Sequence, residues 1–320
     1  MADERVRFGT TELSVPRVCQ GTAFRHLERK ADSPSAEAVL HHCLDRGINF
    51  FDSAVSYGWG GSEELLGKVI AGRRGDVVVC TKVPRHHLPV GDEDPKPAAY
   101  TRDFLAEMLE GSLRRLRTDY VDLYLLHQPD DATSVDEICA SMETLVRSGK
   151  VRYWGVSNHS GEVVEALCSC AEGAGTAPPA GCEDYYNIGG YYAARQGRPR
   201  VRKLEREMFP VLAKRGLGLL AFSPMDAGAL SPENPPEGAP FAALCGVLDD
   251  GAARLKTTRG ALCAAWVLAH DEVTSVLSGA ESPAHVDEML AGALLELPPE
   301  ELRRLNEASA TYSTTVEPKD

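Results

Sequence analysis

The chain has 320 residues, 43% of them hydrophobic, and a net charge of −13 from 34 Lys and Arg against 47 Asp and Glu. That is the length of one α/β barrel with an ordinary core, and so acidic a balance argues against nucleic acid or an anionic membrane as the main partner. The nine cysteines are odd in number and form no C-x-x-C pair, so they read as buried reduced thiols of a cytoplasmic protein.

The sequence opens without an apolar leader and holds no run long enough to cross a membrane. Residues 6–15 read as a hairpin around Gly9-Thr10-Thr11, placed to plug one end of a barrel. Short β-branched or apolar runs follow at 18–22, 48–53, 77–83, 121–127, 151–157, 217–223 and 275–278, with a weaker one at 182–187. Between them the apolar spacing is helical. The segment 35–46 gathers Ala36, Val39, Leu40 and Cys43 on one face, and 101–117 gathers Phe104, Leu105, Met108, Leu109, Leu113 and Leu116. Helices are also expected at 134–148, 161–172, 201–215, 259–270 and 283–292. Arg46-Gly47, Ser148-Gly149 and Arg215-Gly216 carry helix-stop chemistry. Two Pro/Gly-rich stretches, 173–181 and 224–240, read as loops. The basic clusters 114–117 and 198–203 read as solvated faces.

Eight strand–helix alternations with buried strands predict a parallel sheet sheathed by helices. No G-x-G-x-x-G, Walker-type phosphate loop or G-x-S-x-G occurs, so a closed (β/α)8 barrel is the expected fold, as a single domain over 1–320 with the hairpin as its plug. Active sites of such barrels lie at the carboxyl ends of the strands. Here those ends carry Asp52, followed by Tyr57, then Lys82, His127 and Ser157-Asn158. A tyrosine hydroxyl titrates near about 10, too high for efficient proton transfer at neutral pH. An ammonium beside it favours the phenolate, and a carboxylate would keep that ammonium charged. Lys82 and Asp52 are the candidates for those two parts, with His127 placed to orient a carbonyl oxygen. The plan needs no metal. The pairs His41-His42 and His86-His87 lack ligand spacing and read as surface residues.

The run Gly47-Ile48-Asn49-Phe50-Phe51-Asp52-Ser53-Ala54, then Tyr57-Gly58 and Ser62-Glu63-Glu64-Leu65-Leu66-Gly67, closely resembles the aldo-keto reductase signature. The resemblance continues through Thr81-Lys82, Leu125-Leu126-His127-Gln128-Pro129, Gly149-Lys150-Val151-Arg152 and Gly155-Val156-Ser157-Asn158, to about Leu290. It implies a nicotinamide-dependent oxidoreductase interconverting a carbonyl, in an aldehyde, ketone or sugar, and its alcohol. Tyr57 would be the general acid-base, with Asp52, Lys82 and His127 completing a catalytic tetrad. Ser157 and Asn158 would hold the nicotinamide carboxamide. Gly21 and Thr22 would lie beside the cofactor, with Phe222, Ser223, Pro224 and Met225 covering it. Phe24, Tyr57, Trp59, His127 and the loop 226–240 would line the substrate pocket.

The departures from that family pattern are specific. Glu183 takes the place of a Gln that contacts the carboxamide, and its charge would bias the site toward the oxidised cofactor. Phe222 keeps a stacking ring without a hydroxyl. Met225-Asp226-Ala227-Gly228 replaces a Leu-Gly pair. In the stretch Gly279-Ala280-Glu281-Ser282-Pro283-Ala284-His285-Val286-Asp287-Glu288-Met289, Glu281 stands where Arg is frequent, His285 replaces a stronger base, and Met289 replaces an adenine-contacting Asn. Gly279, Ser282, His285 and Met289 remain the expected cofactor contacts. The cofactor is NADP(H) or NAD(H), with NADP(H) preference weakened. The alternative function is a cofactor-binding regulatory or redox-sensing subunit, a role one branch of the family fills.

Overall fold

The computed structural model describes residues 5–26, 32–88, 94–191, 201–232 and 238–316. Strands β1 (Arg5–Arg7) and β2 (Ser14–Pro16) form an antiparallel hairpin. The next eight strands are β3 (Val18–Gly21), β4 (Phe50–Asp52), β5 (Val78–Val83), β6 (Val121–Leu126), β7 (Val151–Ser157), β8 (Gly181–Tyr185), β9 (Gly218–Phe222) and β10 (Ser275–Ser278). They pair in parallel in chain order, and β10 returns to β3 to close the barrel. The expected (β/α)8 barrel with a hairpin at its amino-terminal side is thus the observed fold.

Strand alternation divides the apolar residues into two cores. Cys19, Phe50, Val78, Cys80, Leu123, Leu125, Leu220 and Leu277 point into the barrel, and the hairpin adds Phe8, Leu13 and Val15 beneath them. Outward-facing residues such as Val18, Phe51, Val79, Tyr124 and Val156 pack against the helices in a second, larger core. The buried Phe8 ring meets Phe50 edge-on at 6.3 Å. It fits because β8 and β9 begin with glycine there: a Cβ at Gly181 would fall 2.6 Å from the ring and one at Gly218 2.9 Å.

The helices around the barrel are α1 (Pro34–Asp45), α2 (Gly61–Val69), α3 (Arg102–Leu116), α4 (Val135–Arg147), α5 (Gly161–Ala174), α6 (Val201–Glu207), α7 (Phe209–Arg215), α8 (Ala239–Leu255), α9 (Arg259–Leu268), α10 (Pro283–Ala293) and α11 (Pro299–Val316). Ser33, Thr101, Ser134, Ser160, Thr258 and Ser282 each accept a backbone N–H of the first turn they precede, caps worth about 1 kcal/mol apiece. Gly47, Gly149 and Gly216 take the left-handed conformation that the stop signals require.

Four segments differ from expectation, the first being helix α2, which lies outside the helices expected from sequence. The single helix at 201–215 is two, because Pro210 has no N–H to continue the ladder. The stretch read as loop to residue 240 gives way to α8 at Ala239. Helix α11 closes the far side through buried Leu305 and Tyr312, and the Ser309 hydroxyl donates to the Ile188 carbonyl at 2.9 Å. All nine cysteines are free, and all but Cys170 are buried. No described helix is long and apolar enough to cross a membrane. The basic stretch at 200 and below, and residues 233–237 of the loop expected to line the substrate pocket, lie outside the described residues.

Candidate active site

On β4, β5 and β8 the inward stripe carries no polar side chain through the barrel and turns polar in its last inward position. Phe50 is followed by Asp52, Val78 and Cys80 by Lys82, and Gly181 by Glu183. Lys82 is fully buried and Asp52 and Glu183 nearly so. Lys82 Nζ donates to Asp52 Oδ1 at 2.6 Å and Oδ2 at 2.5 Å, to the Ser53 carbonyl at 3.0 Å, and lies 3.3 Å from the Tyr57 hydroxyl. Tyr57 sits on a short 3-10 turn after β4, where left-handed Gly58 and Trp59 swing the chain back over the barrel mouth. The His127 ring meets the Tyr57 ring edge-on at 5.8 Å. The four residues expected to act together therefore converge.

A second carboxylate joins them. Glu183 Oε2 lies 3.2 Å from Lys82 Nζ. Burial alone would lower the Lys82 pKa, yet Asp52 and Glu183 hold it well above its ordinary value, so it stays charged. Burial and the adjacent Asp52 push the Glu183 carboxyl well above the carboxylate range, against the pull of Lys82. Burial, with the Lys82 charge adding to it, drops the His127 pKa to about 3, leaving a neutral ring at physiological pH. The expected depression of the Tyr57 pKa is not what this geometry yields. Lys82 does pull it down, but burial outweighs that pull, and Asp52 and Glu183 oppose it, so the hydroxyl sits above its ordinary value. Tyr57 is thereby kept protonated. Asp52, Cys80 and Glu183 also approach within ligand spacing of one another, but the Lys82 ammonium already supplies the cation among them.

These groups form one end of an open cleft of about 2110 Å³. Gly21, Phe24, Asp52, Tyr57, His127, Ser157, Asn158, Glu183, Phe222, Ser223, Pro224, Met225, Gly279, His285 and Met289 all line it, as expected from sequence. Thr22, Lys82, Ser282 and Trp59 do not. Thr22 is buried and donates to Ser53 Oγ at 2.9 Å. Ser282 caps α10, and Lys82 lies behind Asp52, Tyr57 and Glu183, which line the cleft. Trp59 stands outside, 39% exposed, with its ring against His86, so the wall it was expected to form is not there.

Asn158 is left-handed, and its side-chain N–H groups donate to the His127 carbonyl at 3.1 Å and Ser157 Oγ at 2.9 Å. The loop after β9 is held over the cleft by Asp226, which accepts from the Tyr185 hydroxyl and, at 2.7 Å, from the Tyr191 backbone N–H. Among the wall residues that the sequence does not mark are Arg25 and Glu288. Arg25 donates from its backbone to Glu281 at 3.3 Å, places its guanidinium 3.6 Å from that carboxylate, and reaches the Ala227 carbonyl at 3.2 Å. Glu288 stands one turn beyond His285 on the same wall. Only the three-dimensional closure of the barrel brings residues 25, 227 and 281 together.

The donors and acceptors here fit a nicotinamide dinucleotide. A hydroxyl at Ser157, an amide at Asn158 and the Glu183 side chain line one part of the cleft, beside the flat Phe222 ring. The cleft then runs past unobstructed Gly279, where a Cβ would meet nothing within 4 Å, to the amino-terminal turn of α10.

Acid–base groups at the carboxyl ends of the strands make this a (β/α)8-barrel enzyme by architecture and by the placement of its chemistry. The profile described as "Aldo/keto reductase family" matches residues 17–310; the chain belongs to that family of carbonyl oxidoreductases. It is similar to the uncharacterized oxidoreductase YrpG of Bacillus subtilis, 31% identical over 95% of each chain. A probable voltage-gated potassium channel subunit beta of rice (Oryza sativa subsp. japonica) is also 31% identical, over 85% of each. Among solved structures, the thermostable aldo-keto reductase Tm1743, in complex with the inhibitor epalrestat, superposes with a TM-score of 0.78 at 28% identity, covering 95% of this chain and 99% of that one. The holo form of aldo-keto reductase AKR11C1 from Bacillus halodurans gives 0.77 at 26% identity, over 95% and 96%.

Proposed function

We propose that this protein is a cytoplasmic, nicotinamide-dependent oxidoreductase that interconverts a small carbonyl compound and its alcohol, with Tyr57 as the proton donor. The observation that carries this reading is the buried Lys82 ammonium, 3.3 Å from the Tyr57 hydroxyl and fixed by Asp52, at the mouth of a cleft shaped for a dinucleotide. A reduced nicotinamide bound there would supply hydride to the carbonyl carbon. The displaced π pair becomes a lone pair on oxygen, which takes the Tyr57 proton. Lys82 stabilises the phenolate left behind, and solvent restores the proton. Neutral His127 has one N–H to donate to the carbonyl oxygen and orient it. Ser157 and Asn158 would hold the carboxamide, with the Phe222 ring beside the nicotinamide. Donation by a positioned side chain of this kind contributes about 10²–10⁴-fold to rate.

At the other end of the cleft, Glu281, Glu288 and exposed His285 surround the place of a 2′-phosphate. They support NAD(H) binding comparable to or better than NADP(H). Similarity to a channel subunit raises the regulatory reading, but the converged acid–base groups favour turnover. The test is a fluorescence titration with NAD⁺, NADH, NADP⁺ and NADPH, followed by an activity panel of aldehydes, ketones, sugars and polyols. Micromolar binding with turnover of at least one class is expected. Binding without any turnover would favour the regulatory subunit, and no binding of any nicotinamide form would end both readings.

A further inference from the structure

The Lys82 ammonium has three protons and five acceptor atoms around it: both oxygens of Asp52, the Ser53 carbonyl, the Tyr57 hydroxyl and Glu183 Oε2. Its bonds go to Asp52, Ser53 and Tyr57. Glu183 Oε2, although 3.2 Å away, is buried and receives no hydrogen bond. With both carboxylates ionised this dry cluster carries one negative charge too many. Two events can remove it: Glu183 takes a proton, or a cation arrives on the cleft side. Glu183 lines the cleft, pairs in register with Ser157, and accepts the Asn158 backbone N–H through its carbonyl at 3.1 Å. It therefore faces the place where the proposed function puts the nicotinamide carboxamide. That ring is cationic when oxidised and neutral when reduced.

We propose that Glu183 reads the charge of the nicotinamide: protonated against the reduced ring and ionised against the oxidised one, it makes this protein favour the oxidised cofactor increasingly as pH rises. The proposal rests on the nicotinamide-binding reading of the cleft and adds to it a proton linked to the redox state of the cofactor. A glutamine in this place offers the same shape without the proton. The groups facing Glu183 are Asp52, Lys82 and Tyr57, with the Cys19 and Cys80 thiols below. Burial holds both thiols well above their ordinary values, so they stay neutral. Two other groups are able to mimic the effect. Tyr57 would also ionise more readily beside a cationic ring, and Asp184, next on the strand and also on the cleft wall, is held by burial to about 8.

The experiment is a set of dissociation constants for NAD⁺ and NADH (or NADP⁺ and NADPH, whichever pair binds tighter), read by quenching of protein fluorescence between about pH 5.5 and 9. In the wild type the ratio Kd(reduced)/Kd(oxidised) should climb by about tenfold or more across that range, with a limiting slope of tenfold per pH unit for one linked proton. Glu183→Gln should flatten the ratio. Tyr57→Phe and Asp184→Asn should each leave the climb in place. Loss of the climb in either of those two, with Glu183→Gln unchanged, would overturn the proposal and assign the proton elsewhere.

A second measurement needs no variant. Calorimetric titration of the wild-type protein in two buffers of different ionisation enthalpy should show that the oxidised form releases up to one more proton than the reduced form. Equal proton counts would also overturn the proposal. Binding of both forms with a flat ratio would remove the role of Glu183 and leave the oxidoreductase reading standing, whereas binding of neither form would remove both.

Discussion

At the bottom of the barrel the inward residues are Phe8, Val15, Cys19, Phe50 and Leu123, and most left-handed turns there fall on glycines, Gly9, Gly47, Gly149 and Gly216, with Arg117 a non-glycine among them. At the mouth β4, β5 and β8 end in Asp52, Lys82 and Glu183, and the left-handed residues there include Trp59, Asn158, Ser223, Asp226 and Ala227 besides Gly58, Gly60 and Gly228. The mouth also holds two of the buried polar atoms without a hydrogen bond, Glu183 Oε2 and Asp184 Oδ2. Each left-handed non-glycine residue costs about 1–3 kcal/mol, and each orphaned buried oxygen about as much again. The bottom is thus arranged to hold the barrel shut, while the mouth accepts strain and unmet charge so that polar groups face one space. The structure puts the cost of function at one end and its repayment at the other.

That contrast predicts that changes at the two ends will separate activity from stability. The largest effect should come from Tyr57→Phe, which removes one oxygen at the mouth. We expect kcat to fall by about 10²–10⁴-fold with cofactor affinity nearly unchanged, as for loss of a positioned proton donor. A variant keeping a tenth or more of wild-type kcat in single-turnover kinetics, where product release does not limit, would remove Tyr57 from this role. Phe8→Ala tests the other end. Emptying the space between Gly181, Gly218 and Phe50 should cost about 3–5 kcal/mol in urea unfolding, with kcat/KM of the folded protein close to wild type. A matching loss of kcat/KM would show that the two ends are coupled.

A smaller effect isolates the unmet charge from the strain. Asp184 is buried, its carboxyl is held to about 8, and the unfolded chain would release that proton near the ordinary value of about 3.9. Between those values the folded state binds the extra proton, so stability is present at low pH and lost as pH climbs from about 4 toward 8. The limiting slope is about 1.4 kcal/mol per pH unit. Asp184→Asn should flatten the decline and raise the unfolding midpoint at pH 8 more than at pH 5. Parallel pH profiles for the two proteins would show that Asp184 is ionised and satisfied in the folded state.

Much of this architecture was legible in the sequence because alternation and strand-end polarity are local signals. The register that buries Phe50 points Asp52 into the same interior, and the same holds for Cys80 and Lys82. Helix α11 was less visible because its apolar residues, among them Leu305 and Tyr312, are sparse in a polar stretch. The break at Met208 does have a local signal, Pro210, whose ring nitrogen has no hydrogen to donate. What no local signal carried was the balance of charges. Sequence offers Lys82 beside Tyr57, but the burial that outweighs it, and the second carboxylate sharing the same ammonium, exist only once β4, β5 and β8 face one another around the barrel. Trp59 misled for a related reason: its position two residues past Tyr57 says nothing of the left-handed turn that carries its ring outside.

The least of the expected effects lies where the cleft meets α10. Sequence alone sets Glu281 against a 2′-phosphate as a simple repulsion. The structure complicates this, because Arg25 already shares that carboxylate through its backbone and its guanidinium. Both side chains are solvent-facing, so the pair itself is weak, yet Arg25 is drawn toward Glu281 and the Ala227 carbonyl and away from an incoming phosphate. Glu288 adds a second carboxylate to the same wall. Replacing both Glu281 and His285 with Arg would remove one negative charge, add two forked donors and release Arg25. NADPH should then bind tighter by roughly 1–3 kcal/mol, the worth of charge-assisted hydrogen bonds, while NADH affinity stays near wild type. Dissociation constants for both cofactors in both proteins decide it. Wild-type NADPH binding about tenfold or more tighter than NADH would refute the weakened preference outright. An unchanged NADPH/NADH ratio in the double variant would show that the 2′-phosphate is held elsewhere on the cleft wall.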